Sequence, residues 1–65
     1  MKMKEMIFQN NITGIEEFTI RRQEDEDFDV PRVNEKIINA DKVYEVRRVA
    51  RNYNTCKIFV FVEVI

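Results

Sequence analysis

The densest run of ionisable side chains is Glu24-Asp25-Glu26-Asp27-Phe28-Asp29, five carboxylates in six positions. Carboxylates at that density bind cations, dock on basic protein surfaces or imitate nucleic-acid phosphates. A calcium loop of the EF-hand type needs oxygen ligands at positions one, three and five, Gly at six and a bidentate Glu at twelve. Counted from Asp25, the first three are met by Asp25, Asp27 and Asp29, but Val30 takes the sixth place and Lys36 the twelfth. The spacing predicts no calcium site. The basic counterpart is Arg47-Arg48-Val49-Ala50-Arg51 with Tyr53 just after. Arginine and an aromatic ring together grip phosphates and stack on bases. On a regular strand, however, Arg47 and Arg48 point to opposite faces, and pairing with the 24–29 carboxylates is the simpler role for them. The third candidate, Cys56, stands beside Lys57, and a neighbouring cation can activate a thiol. The chain has no His and no second Cys to activate or resolve it, so a small core thiol is the expectation.

Catalysis is not expected. Carboxylates pair for acid–base work only where a pocket raises the pKa of one of them, and 65 residues leave little room for such a pocket. A lone Cys without His also falls short of a structural zinc set. No cofactor is implied. Eleven basic against twelve acidic residues leave a net charge of −1, so no global field draws in nucleic acid or an anionic membrane. No apolar run reaches the 18 or so residues of a membrane span. The opening Met1-Lys2-Met3-Lys4-Glu5 lacks the apolar stretch of a signal peptide, so a cytoplasmic location is the expectation. The single cysteine fits a reducing compartment.

The elements that must position these residues are strands. Ile, Val and Phe dominate the apolar content, and Leu is absent. Branched and aromatic side chains suit a pleated, half-buried surface. With one Gly and one Pro, the turns must lean on Asn and Asp. Residues 1–9 read as a strand whose alternation slips at Glu5, the mark of a bulge or a late start. After a turn at Asn10, Asn11 and Gly14, residues 15–22 alternate cleanly, with Phe18 and Ile20 on one face and Glu17, Thr19 and Arg21 on the other. These two runs form a predicted hairpin. Further strands are predicted at about 36–39, 43–50 and 56–65, with turns near 40–42 and 52–55. A helix over 34–53 is rejected because its apolar residues form no stripe at helical spacing.

The final strand constrains the most. Cys56, Ile58, Val60, Val62 and Val64 fall on one face, and Lys57, Phe59, Phe61, Glu63 and Ile65 on the other. Two largely apolar faces both need cover. Cover comes from a curled, barrel-like sheet or from a second subunit, and a homodimer with Phe59 and Phe61 in its interface is the expectation.

The stretch Val30-Pro31-Arg32-Val33-Asn34-Glu35-Lys36-Ile37-Ile38, followed by Tyr44-Glu45-Val46-Arg47-Arg48-Val49, resembles a pattern in small phage and prophage proteins. There a Pro-x-hydrophobic-Gly-Glu turn leads into a strand, a short turn and a Tyr-x-Val-x-x-Val strand. The pattern spans about 20 of 65 residues and its motifs are structural. Asn34 stands where Gly is usual, and Asn tolerates the positive φ such a turn needs. The resemblance implies the start of an SH3-like small barrel. It also implies a phage-type accessory protein, either a minor structural protein or an inhibitor that binds a host enzyme or defence system, without attached activity.

The reading is therefore a single all-β domain over 1–65, a small antiparallel sheet or SH3-like barrel of about five strands. Its expected role is protein binding, as a phage-encoded inhibitor of a host defence or nucleic-acid enzyme, with Glu24, Asp25, Glu26, Asp27 and Asp29 as the recognition element. The alternatives are a nucleic-acid-binding barrel that uses Arg47, Arg48, Arg51 and Tyr53, and a minor structural or assembly protein of a virion.

Overall fold

A computed structural model describes residues 3–21 and 29–65. It contains five strands: β1 (Glu5–Asn10), β2 (Glu16–Arg21), β3 (Lys36–Asn39), β4 (Lys42–Asn52) and β5 (Lys57–Val64). The all-β expectation holds, and β1 starts late, at Glu5, as its broken alternation suggested. No helix among the described residues is long and apolar enough to cross a membrane.

Asn, Asp and positive-φ residues make the turns. Between β1 and β2, the Asn10 side-chain oxygen accepts the amides of Ile12 and Thr13 at 2.8 and 3.0 Å, and Gly14 turns the chain at φ 76°. Between β3 and β4 the two-residue loop Ala40-Asp41 has φ 51° and 65°, which is type I′ geometry and matches the twist of the flanking strands. Asn34 has φ 75° and lies in a turn closed by Glu35 N–H donating to Arg32 O at 3.0 Å; this is the positive φ expected where Asn replaces Gly. Between β4 and β5, the Asn52 side-chain oxygen accepts the amides of Asn54 and Thr55 at 3.0 and 3.2 Å. Cys56, at φ 58°, closes that turn. It is half-buried and precedes β5, which corrects its expected place as the first strand residue.

The strands form one sheet in the order β2-β1-β5-β4-β3. Three pairings are antiparallel, but β1 runs parallel to β5 from Glu5↔Lys57 to Asn10↔Val62. The sheet is therefore mixed, a correction to the purely antiparallel expectation. The three hairpins follow from local turns, whereas the join between β1 and β5 is non-local and no turn dictates its direction.

The sheet curls into a half-barrel. In a flat sheet β2 and β4, three strand spacings apart, would be separated by roughly 14 Å. Instead the rings of Phe18 and Tyr44 meet at 5.6 Å between centroids, and Phe18 stacks on Phe8 at 4.2 Å. The Tyr44 hydroxyl donates to Glu17 Oε1 at 3.3 Å across the same opening. The concave side holds the core of Met6, Phe8, Tyr44, Val46, Ile58, Val60 and Val62, with Met3, Phe18, Ile20, Val30, Ile37 and Val49 packed around it. Val46, Val60 and Val62 are wholly inaccessible; each such side chain contributes about 1.5–3 kcal/mol on burial.

Two bulges re-aim charged side chains. In the first, β1 and β2 shift register between Phe8↔Phe18 and Gln9↔Glu16. Glu17 is the extra residue, and it turns toward Tyr44 on the concave side, correcting its expected place beside Thr19 and Arg21. In the second, β4 and β5 shift between Val46↔Val62 and Arg48↔Phe61, leaving Arg47 as the extra residue.

Candidate functional site

The bulge at Arg47 builds the most distinctive surface. An extra residue in one strand lets two consecutive side chains lie toward the same side of the sheet. The Arg47 guanidinium reaches Glu63 at 3.4 Å and Glu45 at 3.6 Å, and Arg48 lies over the Phe61 ring at 4.4 Å. Phe61 and Glu63 both project from the convex side of β5, so both arginines do too. This overturns the expectation that Arg47 and Arg48 are divided between faces. The signal was in the sequence: Tyr44 and Val46 are two apart, but the next concave-facing residue, Val49, is three further on.

The two arginines have different tasks. Glu45 and Glu63 are directly opposite each other on β4 and β5, an arrangement that like charges make unfavourable. Arg47 lies between them and offsets part of their repulsion, leaving the pair net negative. Among the described residues these are its carboxylate partners; of the 24–29 run expected to pair with it, 24–28 lie outside the described residues. Arg48 instead donates through Nε to the Asn11 side-chain oxygen at 3.3 Å, and the Asn11 amide nitrogen donates to Glu63 Oε2 at 3.1 Å. The β1–β2 turn is thus fastened to the convex face by Asn11. A ring beneath and an amide at its edge hold the Arg48 guanidinium in one plane. The sequence marked Asn11 only as a turn residue, because no periodicity links a turn to a strand fifty residues later.

Next to this lies an apolar strip. Phe59 is opposite Ala50 on one side and Ile7 on the other. Phe59, Phe61 and Ile7 are half-buried, so within one chain neither ring is fully in water. Ala50, Arg51, Asn52, Tyr53, Asn54 and Phe59 line a shallow depression of about 480 Å3 at the end of the strip. Tyr53 is 63% exposed. Arg51 is opposite Ile58, a core residue, so its side chain leaves β4 on the concave side, away from Arg47 and Arg48. The four residues of the expected basic patch are therefore split: Arg47 and Arg48 on the convex face, Tyr53 at its rim and Arg51 behind. Glu5 bridges Arg21 at 3.1 Å and Lys57 at 3.7 Å at the same end of the sheet. Exposed ion pairs of this kind add about 0–1 kcal/mol.

Of the expected acidic element, Glu24, Asp25, Glu26 and Asp27 lie outside the described residues, and Asp29 is exposed. Among the described residues the marked protonation shift is at Tyr44, whose phenol is pushed above its ordinary value of 10.0 by burial first, then by the Glu17 charge and the hydrogen bond to it. It belongs to the closure of the half-barrel, because both groups are part of the contact between β2 and β4. Comparison with protein-family models, with curated proteins and with solved structures found no match.

Proposed function

We propose that this chain is a small protein-binding module that works through the convex face of its half-barrel. The observation that carries the reading is the ordered Arg48–Phe61 stack beside the half-buried Phe59 and Ile7. Interface centres are enriched in aromatic residues and arginine, presented on rigid elements. Here three strands and the Asn11 bonds hold them. The resemblance of 30–49 to small phage proteins supports an inhibitor of a host defence or nucleic-acid enzyme as the biological setting. The run Glu24–Asp29 supports the same setting, since it would steer association with a basic enzyme surface.

The test uses one partner and two sets of variants. A partner is captured from a host lysate, and its association is then measured with the purified protein. Phe59→Lys should abolish binding while the sheet stays folded. Replacing Glu24, Asp25, Glu26, Asp27 and Asp29 by their amides should slow association and flatten its salt dependence. Retained affinity in Phe59→Lys would refute the convex face as the contact surface, and an unchanged association rate would refute the steering role.

A specific observation also favours the nucleic-acid reading: the bulge places Arg47 and Arg48 on the same face as Phe59 and Phe61. Against it, Arg47 is already held by Glu45 and Glu63. A gel-shift titration at two salt concentrations separates the readings, because phosphate binding must weaken steeply with salt.

A further inference from the structure

Resting on the protein-binding reading, we infer that the convex face takes an extended protein segment with a carboxylate two residues from an aromatic or aliphatic side chain, the carboxylate on Arg48 and the apolar side chain over Phe59. The first support is charge. Among the described residues Arg48 makes one polar contact, through Nε to Asn11. Arg47, in contrast, has two carboxylate partners. The paired Nη groups of Arg48 are the donors that a carboxylate accepts in bidentate fashion. Phe61 and Asn11 fix the plane before binding, so little ordering cost is left to meet on association.

Spacing is the second support. Ala50 is two residues from Arg48 on the same face of β4, about 7 Å along the strand. Ala50 and Phe59 begin the depression that runs to Tyr53. Side chains at i and i+2 of an extended segment are separated by the same ~7 Å and point the same way. A carboxylate seated on Arg48 therefore places the side chain two residues along over Ala50 and Phe59. The small Ala50 leaves the room, and the Tyr53 ring closes the far rim. Glu45 and Glu63 stand beyond Arg48 on the other side and repel a second acidic group there, which sets the direction in which the segment lies.

The experiment is a titration of the isotopically labelled protein with capped hexapeptides, followed by amide and Arg Nε chemical shifts. The probes are Ser-Asp-Ser-Phe-Ser-Ser, its Asn-for-Asp analogue and a thymidine oligonucleotide. The acidic peptide should shift Arg48 Nε and the amides of Ala50, Phe59 and Phe61, and the Asn analogue should bind about tenfold more weakly or worse. Arg48→Gln should reduce affinity for the acidic peptide to that of the analogue, whereas Arg47→Gln changes it by no more than about twofold. Arg48→Lys, which keeps the charge and loses the planar fork, should lie between and guards against misreading an unfolded variant. Equal shifts with both peptides, or none at millimolar peptide, would overturn the inference. So would tighter, salt-sensitive binding of the oligonucleotide, or concentration-dependent shifts of the same residues without any probe, which would give the face to a second copy. If the peptide fails but a captured partner still needs Phe59, only the segment chemistry is wrong and the protein-binding reading stands.

Discussion

The β3–β4 hairpin turns through Ala40 at φ 51°, a conformation in which an L side chain is strained. A residue with a Cβ in the left-handed region costs roughly 1–2 kcal/mol. Ala40→Gly removes that strain but frees the unfolded chain, which takes back about 0.4–1 kcal/mol. The net expectation is a gain of about 0.5–1 kcal/mol. For a domain of this size 1 kcal/mol moves Tm by about 4–8 °C, so the variant should melt roughly 2–8 °C higher. Ala40 is exposed and makes no core contact that the substitution would remove. The same substitution at Ala50, inside β4 and opposite Phe59, should lower stability by about 0.5–1 kcal/mol. Thermal and urea unfolding followed by circular dichroism measure both. A common sign for the two variants, or a lower Tm for Ala40→Gly, would refute the type I′ assignment. Ala40→Asn should recover part of the gain, because Asn visits this region more readily than Ala.

Phe8→Ala should cost about 3–5 kcal/mol, as much as the roughly 3–5 kcal/mol expected for a domain this small; loss of the β-sheet spectrum at 25 °C is the expected result, with Phe8→Leu still folded. Tyr44 has its pKa raised in the folded state, so its contribution is fully present below pH ~10, the unfolded value, and is lost as pH rises through the higher folded value. In Tyr53→Phe the remaining tyrosine should ionise above pH 10 by absorbance at 295 nm, and Tyr44→Phe should flatten the loss of stability in that window. Cys56, half-buried at the turn, should react with a thiol reagent near neutral pH far more slowly in the folded protein than in urea, and Cys56→Ser should lower stability without affecting binding. Self-association through Phe59 and Phe61 is decided by sedimentation equilibrium at tens of micromolar: a dimer that Phe61→Lys dissociates supports it, and a folded monomer refutes it.

Local physics made much of this legible in the chain. The scarcity of Gly and the Asn-rich turns located the hairpins, because Asn and Asp bond their own backbone and accept positive φ. Alternation in β5 separated Val60 and Val62 from Phe59 and Phe61, because successive strand residues must face opposite ways. The slip from Val46 to Val49 even encoded the bulge, although regular alternation hides it from anyone counting in twos. Tertiary structure alone decided three things. It set β1 parallel to β5, a non-local choice that no turn between neighbouring residues dictates. It turned Glu17 inward to Tyr44, for which two adjacent glutamates, Glu16-Glu17, carry no apolar marker. It assembled Asn11, Arg48, Phe61 and Glu63, residues up to 52 apart in the chain. Their meeting depends on the register of three strands at once, and register is a property of the assembled sheet, not of any one segment.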